Sequence, residues 1–335
     1  MPASTVTEVS FADLGHVELR QVADTAGEPT GTEVALEPAY LGICGSDLHV
    51  LHGRHPWIRP PVVTGHEASA TVAATGPEAR RVRPGDRVLV NPLLHCGECA
   101  HCRRGAVNTC DRAQVLGFRA PGVARTRFTI DETFVHPLPA RLPSEVAVLA
   151  EPLATGWHAV GRCTDLDDVL VVGGGSVGLS VLLALQARGA GSITIVEPSE
   201  AKRRLAHELG AAGAYSPAEA AGLASAHSTV IDCVATQETL DLAVRRAHNG
   251  GTVLVVGVPD APREFNLPRM QRFEVDLRGS GLYLPTDIDD VLALLGNERI
   301  DPTPLVSAVH PLTDAPAAYE AAAQLNSIKV LVHIQ

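Results

Sequence analysis

The segment Gly173-Gly174-Gly175-Ser176-Val177-Gly178 constrains this chain more than any other. The pattern G-x-G-x-x-G is common by itself and takes its meaning from its flanks. Here a short β-branched run, 168–172, leads into it, and a helical apolar pattern, 176–188, leads out. Strand, glycine turn and helix in that order open a doubly wound parallel sheet. Gly173 permits the tight turn, Gly175 lets a pyrophosphate approach the backbone, and Gly178 lets the helix lie close to the sheet. Ser176 and Val177 begin the helix, whose N-terminus offers free N–H groups and a positive dipole end to phosphates. A second strand, 193–196, ends at Glu197, the spacing of the acid that holds adenosine ribose hydroxyls. A carboxylate there repels the extra phosphate of NADP, so NAD is the expected cofactor. Lys202, with Arg203 and Arg204, is the basic group that could take that phosphate instead, although an exposed helix face over 199–209 explains these residues as well.

Strand-like runs at 230–233 and 252–256 continue the alternation, which makes 161–285 an α/β nucleotide domain. Residues 1–160 read differently. Short β-branched runs at 71–73 and 87–90 lie between turn signals such as Thr75-Gly76-Pro77 and Pro84-Gly85-Asp86, the mark of an all-β unit. The tail, 286–335, shows helical patterns at 288–295 and 315–324 and a strand at 329–334, and periodicity does not say which unit it joins. Hydrophobic residues make up 45% of the 335 and charged ones 19%, enough for two packed cores. The net charge of -11 and the lack of a basic run argue against a nucleic-acid partner. The longest apolar stretch, 177–187, is too short to span a bilayer, and the first twenty residues lack a leader's apolar centre. A cytoplasmic protein without a membrane partner is expected.

Four of the seven cysteines fall within fifteen positions: Cys96, Cys99, Cys102 and Cys110. In a reducing compartment such crowding points to metal, and four thiolates make a closed, structural zinc site. Gly97 and Gly105 let the loop wrap an ion. An iron–sulfur cluster uses similar spacings, but nothing else in the chain suggests electron transfer. Three further blocks are Cys44-Gly45-Ser46-Asp47-Leu48-His49, Gly65-His66-Glu67 and Glu151-Pro152. Singly they are ordinary. Together they supply a thiolate, an imidazole and two carboxylates, a ligand set suited to an open zinc.

These blocks, with Val82-x-Pro84-Gly85-Asp86-Arg87-Val88, the cysteine cluster and the glycine fingerprint, resemble the zinc-dependent medium-chain alcohol dehydrogenases in content and order, especially the polyol branch of sorbitol, threonine and butanediol dehydrogenases. The resemblance runs along nearly the whole chain. It implies a GroES-like β-barrel catalytic domain beside the Rossmann domain, with the tail returning to the first. It implies Cys44 and His66 as zinc ligands, with Glu67 and Glu151 as candidates for the remaining place, and so two zincs per chain. It further implies Ser46 and His49 as a proton relay and Asp47 as the residue that orients His66. The substrate class is then a small secondary alcohol or its ketone: a polyol, cyclitol, amino-cyclitol or diol. Family members are commonly homodimers or homotetramers.

Two departures stand out. Ala70 replaces a usual glycine, and Pro121-Gly122-Val123-Ala124-Arg125 replaces a Gly-Gly-x-Ala-Glu-Tyr segment. The segment His52, Arg54, His55, Trp57 and Arg59 could face a substrate, its arginines holding an anionic group, or form a solvated loop. A zinc-independent quinone or enone reductase of the same fold, and a non-catalytic nucleotide-binding protein, are the competing readings. The intact Cys44, His66 and Glu67 set argues against the first, and the presence of Ser46 and His49 against the second.

Overall fold

The computed structural model describes residues 5–24, 27–223 and 226–335. The chain divides into two units, Met1–Glu151 with Leu284–Gln335, and Pro152–Tyr283.

The first unit is built on strands. A three-stranded sheet orders His16–Ala23, Thr5–Asp13 and Val62–Val63. A larger sheet runs Val135–Pro137, Arg87–Val90, Glu67–Thr75, Glu33–Ile43, Lys329–His333 and Val306–Pro311, with Phe128–Asp131 also on Glu33–Ile43. The tail thus returns to this unit, since Lys329–His333 pairs antiparallel with Glu33–Ile43. Val34, Leu36, Leu41, Val72, Val88, Val330 and Val332 fill the core, and burying each such side chain stabilises by about 1.5–3 kcal/mol. Register is critical at one place. Gly42 stands opposite Glu67 on one side and Leu331 on the other.

The second unit is a six-stranded parallel sheet ordered Gly213–Tyr215, Ser192–Val196, Asp168–Val172, His227–Asp232, Ala247–Val255 and Asp276–Gly279. Numbered along the unit this is 3-2-1-4-5-6, the dinucleotide-binding order, with its switch point at Asp168–Val172. The sequence patterns at 193–196 and 230–233 fall on Ser192–Val196 and His227–Asp232, whose residues are buried almost throughout because helices cover both faces. The helix after the fingerprint is Ser176–Ala187, and the next is Glu200–Glu208, with Ser199 accepting from the Lys202 amide as its cap.

The division between units falls after Glu151 rather than after residue 160. The reason lies in the helix Ala150–Gly161. A Cβ on Gly156 would sit 2.6 Å from the Ser180 carbonyl carbon, so this helix packs backbone to backbone on the fingerprint helix. Gly156→Ala should therefore destabilise the protein by about 1–3 kcal/mol. Urea unfolding checks this, and an unchanged midpoint would mean the two helices separate at no cost.

Candidate active site

Cys44 follows the strand Glu33–Ile43 and is the N-cap of the helix Gly45–Leu51. Asp47, in that helix's first turn, turns back and accepts from the Cys44 amide at 3.0 Å. His66 enters from the loop before Glu67–Thr75. That loop requires Gly65, whose φ is +93° and whose Cβ would lie 2.7 Å from Leu41 Cδ1. Donor atoms of Cys44, His66 and Glu67 lie within 4.8 Å of one another, close enough to share an ion. His66 Nδ1 stands 3.3 Å from Asp47 Oδ1, which leaves Nε2 as the ring atom available to a metal. Burial alone would lower the pKa of His66, but Asp47 and Cys44 raise it well above the usual value.

Glu67 is fully buried, and its carboxylate accepts from Lys329 Nζ at 2.6 and 2.8 Å. Lys329 is 1% exposed and also donates to the Ile43 carbonyl at 3.2 Å. Burial opposes its charge, yet Glu67, Cys44 and Glu151 hold the ammonium above its ordinary range. Gly42 makes room for the pair, since a Cβ there would lie 2.0 Å from Glu67 Oε2. Glu151 is buried at the start of Ala150–Gly161 and acts on Lys329 through its charge, but it is not in the group of three converging donors. Sequence reasoning missed Lys329, because a lysine opening a strand looks like a surface residue.

Ser46 and His49 are half-buried on the same short helix as Asp47. Beyond it, the ring of His55 stacks on Phe118 at 5.1 Å, and Phe118 lies 5.0 Å from the His66 ring. Phe118 had no sequence signal. His55 Nδ1 accepts from the Trp57 amide at 3.3 Å, and burial, with His49 and Arg59 nearby, lowers its pKa. Of the two arginines in this segment, Arg59 spends its guanidinium on the His55 and Ile58 carbonyls.

The four clustered cysteines are free thiols. Cys96 and Cys110 sulfurs are 3.5 Å apart, Cys96 and Cys102 3.8 Å, and Cys99 and Cys110 3.9 Å. A disulfide needs about 2.05 Å. Four thiolates about 2.3 Å from one zinc stand roughly 3.8 Å from each other, so the cluster fits that ion. Gly97 and Gly105 have φ of +73° and +82°, the turns that wrap the loop. Backbone N–H groups of Glu98 and Cys99 pull the Cys96 thiol down to about 6, whereas burial and the neighbouring thiols push Cys102 up to about 12. Cys163 and Cys233 lie elsewhere, and burial pushes both thiols up.

In the second unit, Gly173 has φ +99°, and a Cβ on Gly178 would lie 1.8 Å from the Gly173 carbonyl oxygen. Nothing lies within 4 Å of a Cβ built on Gly175, so backbone is open there. Ser176 Oγ is buried without a hydrogen-bond partner at the helix N-terminus, and Val177 follows it, half-buried. Glu197 accepts from the Gly174 and Ser199 amides, both at 2.8 Å, which ties the acid to the glycine turn. Arg203 donates to the Glu197 and Pro198 carbonyls and Arg204 pairs with Glu200, while Lys202 directly precedes both arginines on the helix Glu200–Glu208.

Residues 30–140 match the alcohol dehydrogenase GroES-like domain, and residues 176–297 match the zinc-binding dehydrogenase family. Sorbitol dehydrogenase of Bos taurus is 30% identical over 348 residues, covering 99% of this chain and 98% of the relative. The 2-dehydro-3-deoxy-L-galactonate 5-dehydrogenase of Pseudoalteromonas atlantica is 28% identical, covering 91% and 92%. A zinc-binding dehydrogenase from Sinorhizobium meliloti, solved with NADP, superposes with a TM-score of 0.91 at 27% identity, covering 99% of this chain and 100% of that one.

Breaking a buried ion pair by removing one partner typically costs about 3–5 kcal/mol. Lys329→Met should therefore lower the unfolding free energy by about that much, and Lys329→Arg should lose far less. Urea unfolding of both variants is the check, and a loss below about 1 kcal/mol in Lys329→Met would show that Glu67 is held by something else.

Proposed function

The chain belongs to the zinc-dependent medium-chain alcohol dehydrogenases, and from that membership we propose that it oxidises a small secondary alcohol to the ketone, or runs the reverse reaction, with NAD as the hydride carrier. The observation that carries the proposal is the convergence of Cys44, His66 and Glu67 beside Ser46 and His49. When bound, zinc supplies Lewis acidity toward a hydroxyl, and the nicotinamide supplies the hydride acceptor.

Cys44 and His66 hold the metal, with Glu67 or Glu151 completing the set. Glu67 stands closer to the other two donors but is already paired with Lys329, whereas Glu151 joins the site through its charge. Asp47 fixes the His66 ring. Ser46 Oγ takes the substrate's hydroxyl proton, and His49 passes it towards solvent. The aromatic face of Phe118 and the ring of His55 bound the space next to His66. Cys96, Cys99, Cys102 and Cys110 hold a second zinc that braces their loop. Gly173, Gly175, Ser176, Val177 and the helix Ser176–Ala187 take the pyrophosphate, and Glu197 takes the adenosine ribose. Relatives named for sorbitol and for a deoxy sugar acid support a substrate with neighbouring hydroxyls.

Free thiols throughout suit a reducing, cytoplasmic setting, and no helix among the described residues is long and apolar enough to cross a membrane. We infer self-association as a homodimer or homotetramer through the nucleotide unit's sheet edge, a reading supported by the edge position of Asp276–Gly279 and by Leu277, which is 39% exposed.

Protein purified without chelator should carry two zincs per chain, one for each cluster, and form NADH with some member of a panel of polyols, cyclitols, diols and sugar acids. Cys44→Ala should keep one zinc and NADH binding yet lose turnover; an active Cys44→Ala enzyme sinks the zinc mechanism. Glu197→Ala should lower the NAD-to-NADP efficiency ratio about tenfold, the weight of one charge-assisted hydrogen bond. An unchanged ratio removes Glu197 from the ribose site.

A further inference from the structure

A chain of hydroxyls ties the metal-ligand cluster to the C-terminal helix, and the proposed chemistry does not use it. Tyr319, on the helix Ala315–Ala322, donates its phenol O–H to Thr64 Oγ1 at 3.2 Å. Thr64 donates in turn to Asp47 Oδ1 at 3.3 Å. Asp47 meets both proposed metal ligands, through the Cys44 amide on Oδ2 and the His66 ring beside Oδ1. Tyr319, Thr64 and Asp47 are each no more than 1% exposed.

The order of donors in this chain has one solution. A carboxylate only accepts, and a threonine hydroxyl has a single proton. Thr64 therefore spends its proton on Asp47 and offers a lone pair to Tyr319. A phenylalanine at 319 would fill the same apolar space without supplying that proton. The phenol stays protonated, because burial and the nearby Asp47 charge push its pKa well above the usual value. Both ends of the chain are also clamped. Phe11 packs its ring against Tyr319 at 5.2 Å and 81°. The Thr64 amide donates to the Val9 carbonyl at 3.2 Å, and the Thr64 carbonyl accepts from the Ala124 amide at 3.0 Å. The loop that carries His66 is thus tied to Val9 and Ala124 at the residue that receives the Tyr319 hydrogen bond.

We propose that Tyr319 and Thr64 are positioning residues, whose hydroxyl chain fixes the Asp47 carboxylate and, through it, the His66 ring and the Cys44 backbone in the arrangement that retains the catalytic metal. The inference rests on the reading of Cys44 and His66 as metal ligands. It makes the tail, 255 residues distant from Thr64, part of the metal site.

The test compares zinc release from the full-length, zinc-loaded protein to a chromogenic chelator for wild type, Tyr319→Phe, Thr64→Val, Thr64→Ser and the Tyr319→Phe/Thr64→Val double variant. The four-cysteine zinc serves as internal control and thermal unfolding as the measure of general damage. Groups that orient metal ligands typically change metal affinity by about 10–100-fold. One step further out, Tyr319→Phe should release the catalytic zinc about 10-fold faster, at the lower end of that range. The control zinc should leave at the wild-type rate. Thr64→Ser should behave as wild type, and the double variant should release no faster than Thr64→Val alone. Wild-type release from Tyr319→Phe, additive effects in the double variant, or both zincs loosening together with a lowered Tm would each overturn the proposal while leaving the zinc enzyme intact. A wild-type protein with zinc at the cysteine cluster alone would overturn the catalytic reading and this inference together.

Discussion

A fully buried lysine facing a fully buried glutamate sets the terms for the first unit. Removing two ions from water costs several kcal/mol each, and only close pairing with extra hydrogen bonds offsets it. Here Lys329 reaches both Glu67 oxygens and the Ile43 carbonyl. The two residues lie on strands that flank Glu33–Ile43 on opposite sides. They meet across that strand because the residue between them is Gly42. A slip of one residue in either ladder would turn one partner to the other face, and an uncompensated charge would be left in the core. The pair therefore enforces the register that also carries Cys44 and His66 to the same end of the sheet.

The cluster of Cys44, His66 and Glu67 is assembled from pieces that are individually weak. Gly45–Leu51 is a seven-residue helix, too short to be stable alone. It is held by the Asp47 contact to the Cys44 amide and by burial of Val50 and Leu51. The loop at Gly65 is fixed by close approaches that tolerate no side chain, with a Cβ on Gly122 lying 2.0 Å from the Thr64 carbonyl oxygen. Departure from the family's pattern in the 121–125 segment thus spares the glycine that the packing requires. The arginine that enters there, Arg125, bridges backbone to backbone with Glu8 and lies within reach of its charge.

The nucleotide unit is governed by a different constraint. Its central parallel strands are buried on both faces, so the polar backbone of the Gly173–Gly178 turn, open at Gly175, is the polar feature at the switch point. Glu197 is tied to the Gly174 amide, and this contact sets the acid next to the turn before any ligand arrives.

Much of this was legible from local pattern. The strand, fingerprint and helix around Gly173, the four-cysteine spacing, and the grouping of Cys44, His66 and Glu67 each depend on residues a few positions apart or on donor types that chemistry rarely assembles otherwise. The sequence alone also determined the parallel sheet, because continuous apolar strands alternating with helices have few other solutions. The tertiary structure alone decided the rest. Lys329, Tyr319, Thr64 and Phe118 carry no local signature, since a strand-opening lysine, a helical tyrosine, a loop threonine and a loop phenylalanine are ordinary. Which of them reaches the site depends on strand order and register between segments more than 250 residues apart, as with Thr64 and Tyr319 or Glu67 and Lys329. The charge beside Glu67 and Glu151 belongs to the same class, because the ammonium of Lys329 arrives only when the tail has folded back.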